Sequence, residues 1–203
     1  MKLLWTIFTL AIASAVTALP QHADAATGLF LEPGVTLQYS NSKVNWPSPA
    51  DSSTGHVNGF GLVGKAGFHI NEIFFVAVDA RYAVPHFTDS SVGYSAESTS
   101  YQIGPVVGIQ LPGAGPRAWI GYVADSQLDP KSSGNYDVKF TQGTGLQLGG
   151  GLHLGPVSLN LEYQYLSYAH TEFEKVWVSS NSTTDVHMTT SQLIASLTFP
   201  LEF

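Results

Sequence analysis

Apolar residues recur at every second position in eight separate runs of this chain, and that period admits only a small set of folds. The last run shows it most plainly: Leu193, Ala195, Leu197, Phe199, Leu201 and Phe203 alternate without a break up to the final residue. Successive side chains of a strand point to opposite faces, so each run predicts a strand with one apolar face.

The runs are Gly28–Tyr39, Val57–Ile70, Ile73–Val84, Thr99–Leu111, Arg117–Ser126, Val138–Leu154, Val157–Ala169 and about Val186–Phe203. Each can supply the roughly 9–11 residues that a tilted strand needs to cross a bilayer. Connections alternate in length. Asn71-Glu72, Pro112–Gly115 and Gly155-Pro156 are tight turns, whereas 40–56, 85–98, 127–137 and 170–185 read as long polar loops. Short turns at one end and long loops at the other are the layout of a membrane barrel, and an even strand count puts both termini on the short-turn side.

Composition agrees. Charged residues make up 11% of the chain, against about a quarter in a soluble domain, and 20 residues are glycine. The deficit is explained by a surface that faces lipid. A net charge of −7 argues against a nucleic-acid partner, and the absence of cysteine removes disulfide and thiolate chemistry. At the start, Lys2 precedes an apolar run from Leu3 to about Val16, then Pro20 and the small-residue pattern Ala23-Asp24-Ala25. That is the form of a secretory signal, too short to span as a helix. Residues 1–25 are expected to be cleaved, with Ala18 as the alternative site, leaving 26–203 as one barrel domain.

The Leu161–Tyr165 strand (Leu-Glu-Tyr-Gln-Tyr) and the terminal Phe203 carry a resemblance to the small OmpA/OmpX-type, opacity or porin-family barrels. The resemblance covers Gly28 to Phe203. It implies an all-β fold, a single eight-stranded antiparallel up-and-down transmembrane β-barrel, in a bacterial outer membrane. It also implies that Phe203 is the signal read by the outer-membrane assembly machinery.

The complementary phase of each strand should line the lumen. It holds Glu32, Lys65, Asp79, Arg81, Arg117, Asp125 and Glu162, several glutamines and many glycines. An eight-stranded barrel is just wide enough for its side chains to fill it, so these charges must pair. Counting from the turns predicts a Glu32–Lys65 pair and a cluster uniting Arg81 with Asp79, Glu162 or both. Tyr39, Tyr82, Tyr122 and Tyr165, with Trp46, Phe87, Tyr101, Tyr168 and Trp177, are expected in an outer aromatic girdle. Phe68, Phe74 and Phe199, with Phe30 and Phe203, are expected in an inner one.

His170 and Glu172 at the end of the seventh run, and His187, Thr189 and Ser191 in the eighth, could support acyl transfer only if they converged. The His-x-Ser motif of PagL-type lipid A deacylases is not matched, since Thr171 and Glu172 follow His170. No metal-ligand spacing and no cofactor motif stands out. The expected protein is a non-enzymatic monomer among outer-membrane lipid and lipopolysaccharide, with a structural or surface-interaction role and an extracellular ligand at its loops. The alternatives are a narrow, OmpW-like channel for small solutes and, third, a lipid A-modifying enzyme.

Overall fold

The computed structural model describes residues 27–45, 52–70, 73–89, 93–132, 136–176, 179–183 and 186–203. The signal segment, Trp46, the Asn71-Glu72 turn and Trp177 lie outside them. Strands β1 (Thr27–Asn45), β2 (Ser53–Ile70), β3 (Phe74–Asp89) and β4 (Tyr94–Gln110) pair in chain order. The fifth stave of the wall is split into β5 (Gly115–Val123) and β6 (Asp125–Pro130), followed by β7 (Tyr136–His153) and β8 (Ser158–Val176). A short β9 (Ser179–Thr183) extends the sheet beside the outer end of β8. The last stave consists of β10 (His187–Thr198) and β11 (Leu201–Glu202). It pairs with β8 on one side and with β1 on the other, so the ring closes with eight antiparallel staves.

Local chemistry sets the ends of these strands. Gly155 holds φ at 81° in the two-residue β7–β8 turn, which Leu154 N–H closes by donating to the Val157 carbonyl at 2.8 Å. A positive φ at the first central position matches the twist of the flanking strands and suits glycine. On β4, Ile103 and Val106 are three steps apart, but their partners Asp125 and Gly121 are four apart. One extra residue at Ala124 therefore makes a bulge, and the facing of the chain flips beyond it.

The strands are longer than the alternation predicts. β1 runs six residues past Tyr39, β3 five past Val84, and β8 seven past Ala169. Much of the expected loops at 40–56, 85–98, 127–137 and 170–185 is therefore wall. A 19-residue strand reaches about 60 Å at roughly 3.3 Å per residue. Even tilted by about 40°, it outreaches a lipid-facing band about 25 Å tall.

The patterning inverts along that length. In the lower half the outside is apolar: Leu29, Leu31, Val35, Leu37 and Tyr39 on β1, then Phe74, Val76, Val78, Tyr82 and Val84 on β3. Above a ring of exposed Tyr39, Tyr82, Tyr101, Tyr122 and Tyr165 the outside turns polar, with Asn41 and Lys43 on β1 and His86 on β3. There apolar side chains also turn inward: Val44, Val57, Phe87, Leu128, Phe140, Leu166, Tyr168 and Met188 form one buried cluster, among buried Ser40, Ser42, Asp89, Ser126, Thr171 and Thr190. Each half hides whichever surface its surroundings reject. Lipid faces the first outside, and water the second.

Three expected girdle residues are thereby corrected. Phe87 and Tyr168 belong to this inner core, and Phe30 is buried near the periplasmic end. Tyr39, Tyr82, Tyr122, Tyr165, Phe68, Phe74 and Phe199 do lie exposed on the outer face.

Candidate functional site: the charged lumen

Inside the membrane-spanning half the inward positions meet in one polar network. Arg81 donates through Nε to Asp79 Oδ1 at 3.0 Å, and through Nη2 to Asp79 Oδ2 at 2.6 Å and Glu162 Oε2 at 2.5 Å. Gln147 Nε2 donates to the same two carboxylates at 3.0 and 2.6 Å. Lys65 Nζ lies 3.6 Å from Glu162 and 3.9 Å from Asp79, with the Trp119 ring centroid 4.0 Å away. Charge and the ring face hold it, since its ammonium makes no hydrogen bond there. Above the cluster, Gln192 donates to Gln164, and Gln164 donates to Gln147.

Glu32 is drawn elsewhere. It faces Lys65 in the β1–β2 register, yet its partners are Arg117 Nη2 at 2.8 Å and the Thr198 hydroxyl. The expected Glu32–Lys65 pair is thus corrected. Register fixes which backbones are neighbours, whereas long side chains in so narrow a bore choose partners across it. Asp125 is the second correction: the bulge at Ala124 turns it outward, where it accepts from the Tyr101 hydroxyl at 3.0 Å. Among the described residues of this half, three carboxylates (Glu32, Asp79, Glu162) therefore meet three cations (Lys65, Arg81, Arg117) and balance, while Asp89 is buried higher on β3.

Apolar clusters flank this polar section on both sides. Towards the periplasm stand Phe30, Phe75, Val106 and Trp119, with the His69 ring stacked on Phe30 at 4.7 Å. His153 Nδ1 and Ser158 Oγ lie 3.0 Å apart beside them, and Arg117 Nη1 donates to the same Ser158 at 3.2 Å. Towards the outside stands the Leu166–Met188–Phe140 core. Trp119 was not legible as a lumen residue by type. Its place between Arg117 and Gly121, in the inward phase, was the available sign. It donates through Nε1 to Glu162 at 3.3 Å as well as covering Lys65.

The rim residues do not converge. His170 faces Thr141 and Glu172 faces Lys139, while Ser191 faces Tyr165, five residues down β8 from His170. That is about 16 Å along the strand, and His187 sits exposed opposite Asn45. Among the described residues no cluster of three or more His, Asp or Glu side chains is placed to hold a metal ion.

A closed antiparallel ring with lipid-facing side chains outside and paired charges inside defines a transmembrane β-barrel. The chain belongs to the outer membrane protein beta-barrel domain family, whose model matches residues 8–199, and the fold is that of a bacterial outer-membrane barrel. Among solved structures it is similar to Neisserial surface protein A, at 15% identity over 88% of this chain and 99% of the other, with a TM-score of 0.46. It is similar also to OprG from Pseudomonas aeruginosa (11% identity, 86% and 96% covered, TM-score 0.46). A third is Ail of Yersinia pestis in complex with the heparin analogue sucrose octasulfate (15%, 83% and 99%, TM-score 0.41). No curated protein matched the chain.

Proposed function

We propose that this protein is a closed, non-conducting barrel whose long extracellular wall acts as a structural and interaction surface. The observation that carries the reading is the apolar core inside the outer half. A water-filled pore would need open space there, and Leu166, Met188, Val44 and Phe140 are buried against one another instead. Beneath that core the charges neutralise one another, leaving no fixed charge of one sign to select an ion. Outside, the wall above the tyrosine ring offers amides, hydroxyls and imidazoles on rigid strands, a surface suited to polar ligands. Catalysis has no support in the rim geometry, where Ser191 and His170 stand far apart.

The test is single-channel recording of refolded protein in planar bilayers, with Arg81→Ala alongside. Wild type should give no discrete openings while running as a heat-modifiable, folded species on a gel. Openings whose size changes in the Arg81→Ala protein would replace this reading with that of a narrow channel gated by its lumen cluster.

A further inference from the structure

His170 and Ser191 stand apart, but elsewhere on the same outer wall an imidazole and a hydroxyl do meet. His86 on β3 and Ser95 on β4 are both exposed, and His86 Nε2 lies 2.9 Å from Ser95 Oγ. Register brings them together. Thr88 faces Ser95 and His86 faces Glu97, so His86 and Ser95 are diagonal neighbours across the strand pair, within reach of a ring. That is the contact a serine nucleophile needs with its base. Both residues stand on hydrogen-bonded strands, so the ladder holds the backbone that carries them.

Glu97 supplies the third group, and it is fixed from its other side. Lys131 Nζ donates to Glu97 Oε2 at 2.6 Å, and the Lys131 backbone N–H donates to the Glu97 carbonyl at 2.8 Å. The Tyr94 hydroxyl in turn donates to the Lys131 carbonyl at 2.7 Å. The hydrogen bond and charge of Lys131, with a smaller contribution from His86, hold the Glu97 carboxyl below its ordinary range, so it is anionic at neutral pH. An anion beside an imidazole favours the imidazolium that forms when the ring takes a proton. One outward step down from His86 the wall becomes apolar, where Val84 and Phe60 face each other and are largely exposed. An ester held at Ser95 therefore has an apolar rest for its acyl chain and water for its alcohol.

We propose that Ser95, His86 and Glu97 form an esterase site on the outer wall, for carboxylic esters with an apolar acyl chain. His86 Nε2 takes the Ser95 hydroxyl proton as Oγ bonds to the ester carbonyl carbon. The bond from that carbon to the alcohol oxygen then breaks, and the alcohol leaves with the proton from His86. Water repeats the sequence on the acyl-serine. Its oxygen bonds to the acyl carbon, its proton passes to His86, and the acid leaves as Ser95 Oγ recovers a proton from the ring. Glu97 positions and stabilises the imidazole and touches no reacting atom.

The folded protein in detergent micelles offers two readouts: covalent labelling by a fluorophosphonate, located by peptide mass spectrometry, and hydrolysis of 4-nitrophenyl octanoate. Wild type should label at Ser95 and release nitrophenol faster than buffer and micelles alone. Ser95→Ala should lose both signals. His86→Ala should slow both about a hundredfold, the lower end of what a positioned base contributes. Glu97→Gln should lower kcat about tenfold and leave KM unchanged, and Ser191→Ala should change neither. The three site residues are exposed, so these substitutions spare the core, and heat-modifiable migration checks each variant's fold. No label at Ser95, labelling unaffected by His86→Ala, or full hydrolysis by Ser95→Ala would overturn the proposal.

Discussion

Arg81 is the residue whose removal should cost the barrel most. Its guanidinium makes three hydrogen bonds of 2.5 to 3.0 Å to Asp79 and Glu162, and all three side chains are buried. In Arg81→Met the interior of the membrane-spanning half would hold three carboxylates against Lys65 and Arg117, with Arg117 already engaged by Glu32. Lys65 stands 3.6 Å or more from the two orphaned groups and makes no hydrogen bond to either. Removing one partner of a buried ion pair costs about 3–5 kcal/mol. At about 1.4 kcal/mol per factor of ten, that is a change of roughly a hundredfold or more in the folding equilibrium. The assay is urea unfolding in lipid vesicles, followed by tryptophan fluorescence and by heat-modifiable migration. Adding Glu162→Gln restores equal numbers of inner charges, so the double variant should be more stable than Arg81→Met alone. An unchanged midpoint for Arg81→Met, or a double variant whose loss equals the sum of the two singles, would refute the reasoning.

Lys65→Met should lower the unfolding midpoint well beyond Lys131→Met, because the Lys131–Glu97 pair is largely exposed and such pairs contribute at most about 1 kcal/mol; equal midpoints would count against the buried cluster. Burial, together with the neighbouring Asp137 and Glu172, pushes the Asp129 carboxyl above its ordinary range, partly offset by Lys139. A carboxyl raised on folding destabilises once pH exceeds its folded value and costs nothing below its unfolded one. Asp129→Asn should therefore stabilise the protein at pH 7 and leave it unchanged near pH 3, as unfolding midpoints at the two pH values would show. Phe203 is 71% exposed and is tied to the wall by its N–H donating to the Leu29 carbonyl at 2.9 Å. Deleting it should reduce surface assembly in cells far more than strand content after refolding in detergent, as surface labelling and circular dichroism would report.

The membrane-spanning half was legible because one rule governs it: every second residue meets lipid, and the period survives into the sequence from Leu29 to Tyr39 or from Phe74 to Val84. The outer half reads as loop because the rule reverses there. Leu37 and Tyr39 face outward, but the next apolar residue of β1, Val44, faces inward, so the apolar series shifts phase and looks broken. Water replaces lipid outside at that height, and apolar side chains must then go in. The Asp79–Arg81–Glu162 cluster follows from counting heights on the strands. Glu32–Arg117 crosses the bore as Arg81–Glu162 does, but Lys65 stands opposite Glu32 in the β1–β2 register and is the nearer choice by height, and register does not decide which long side chains meet. Asp125 was misplaced by one inserted residue, which no period can show.

The change of patterning at the tyrosine ring can be measured directly on β1. The chain has no cysteine, so single spin labels at Leu37, Asn41 and Val44 report three sites without background. In lipid vesicles, Leu37 should be reached by oxygen and shielded from a water-soluble nickel relaxer. Asn41 should show the reverse, and Val44 should be shielded from both. A Val44 label open to the nickel reagent, or an Asn41 label buried in lipid, would contradict a barrel that rises above the membrane with its lumen sealed.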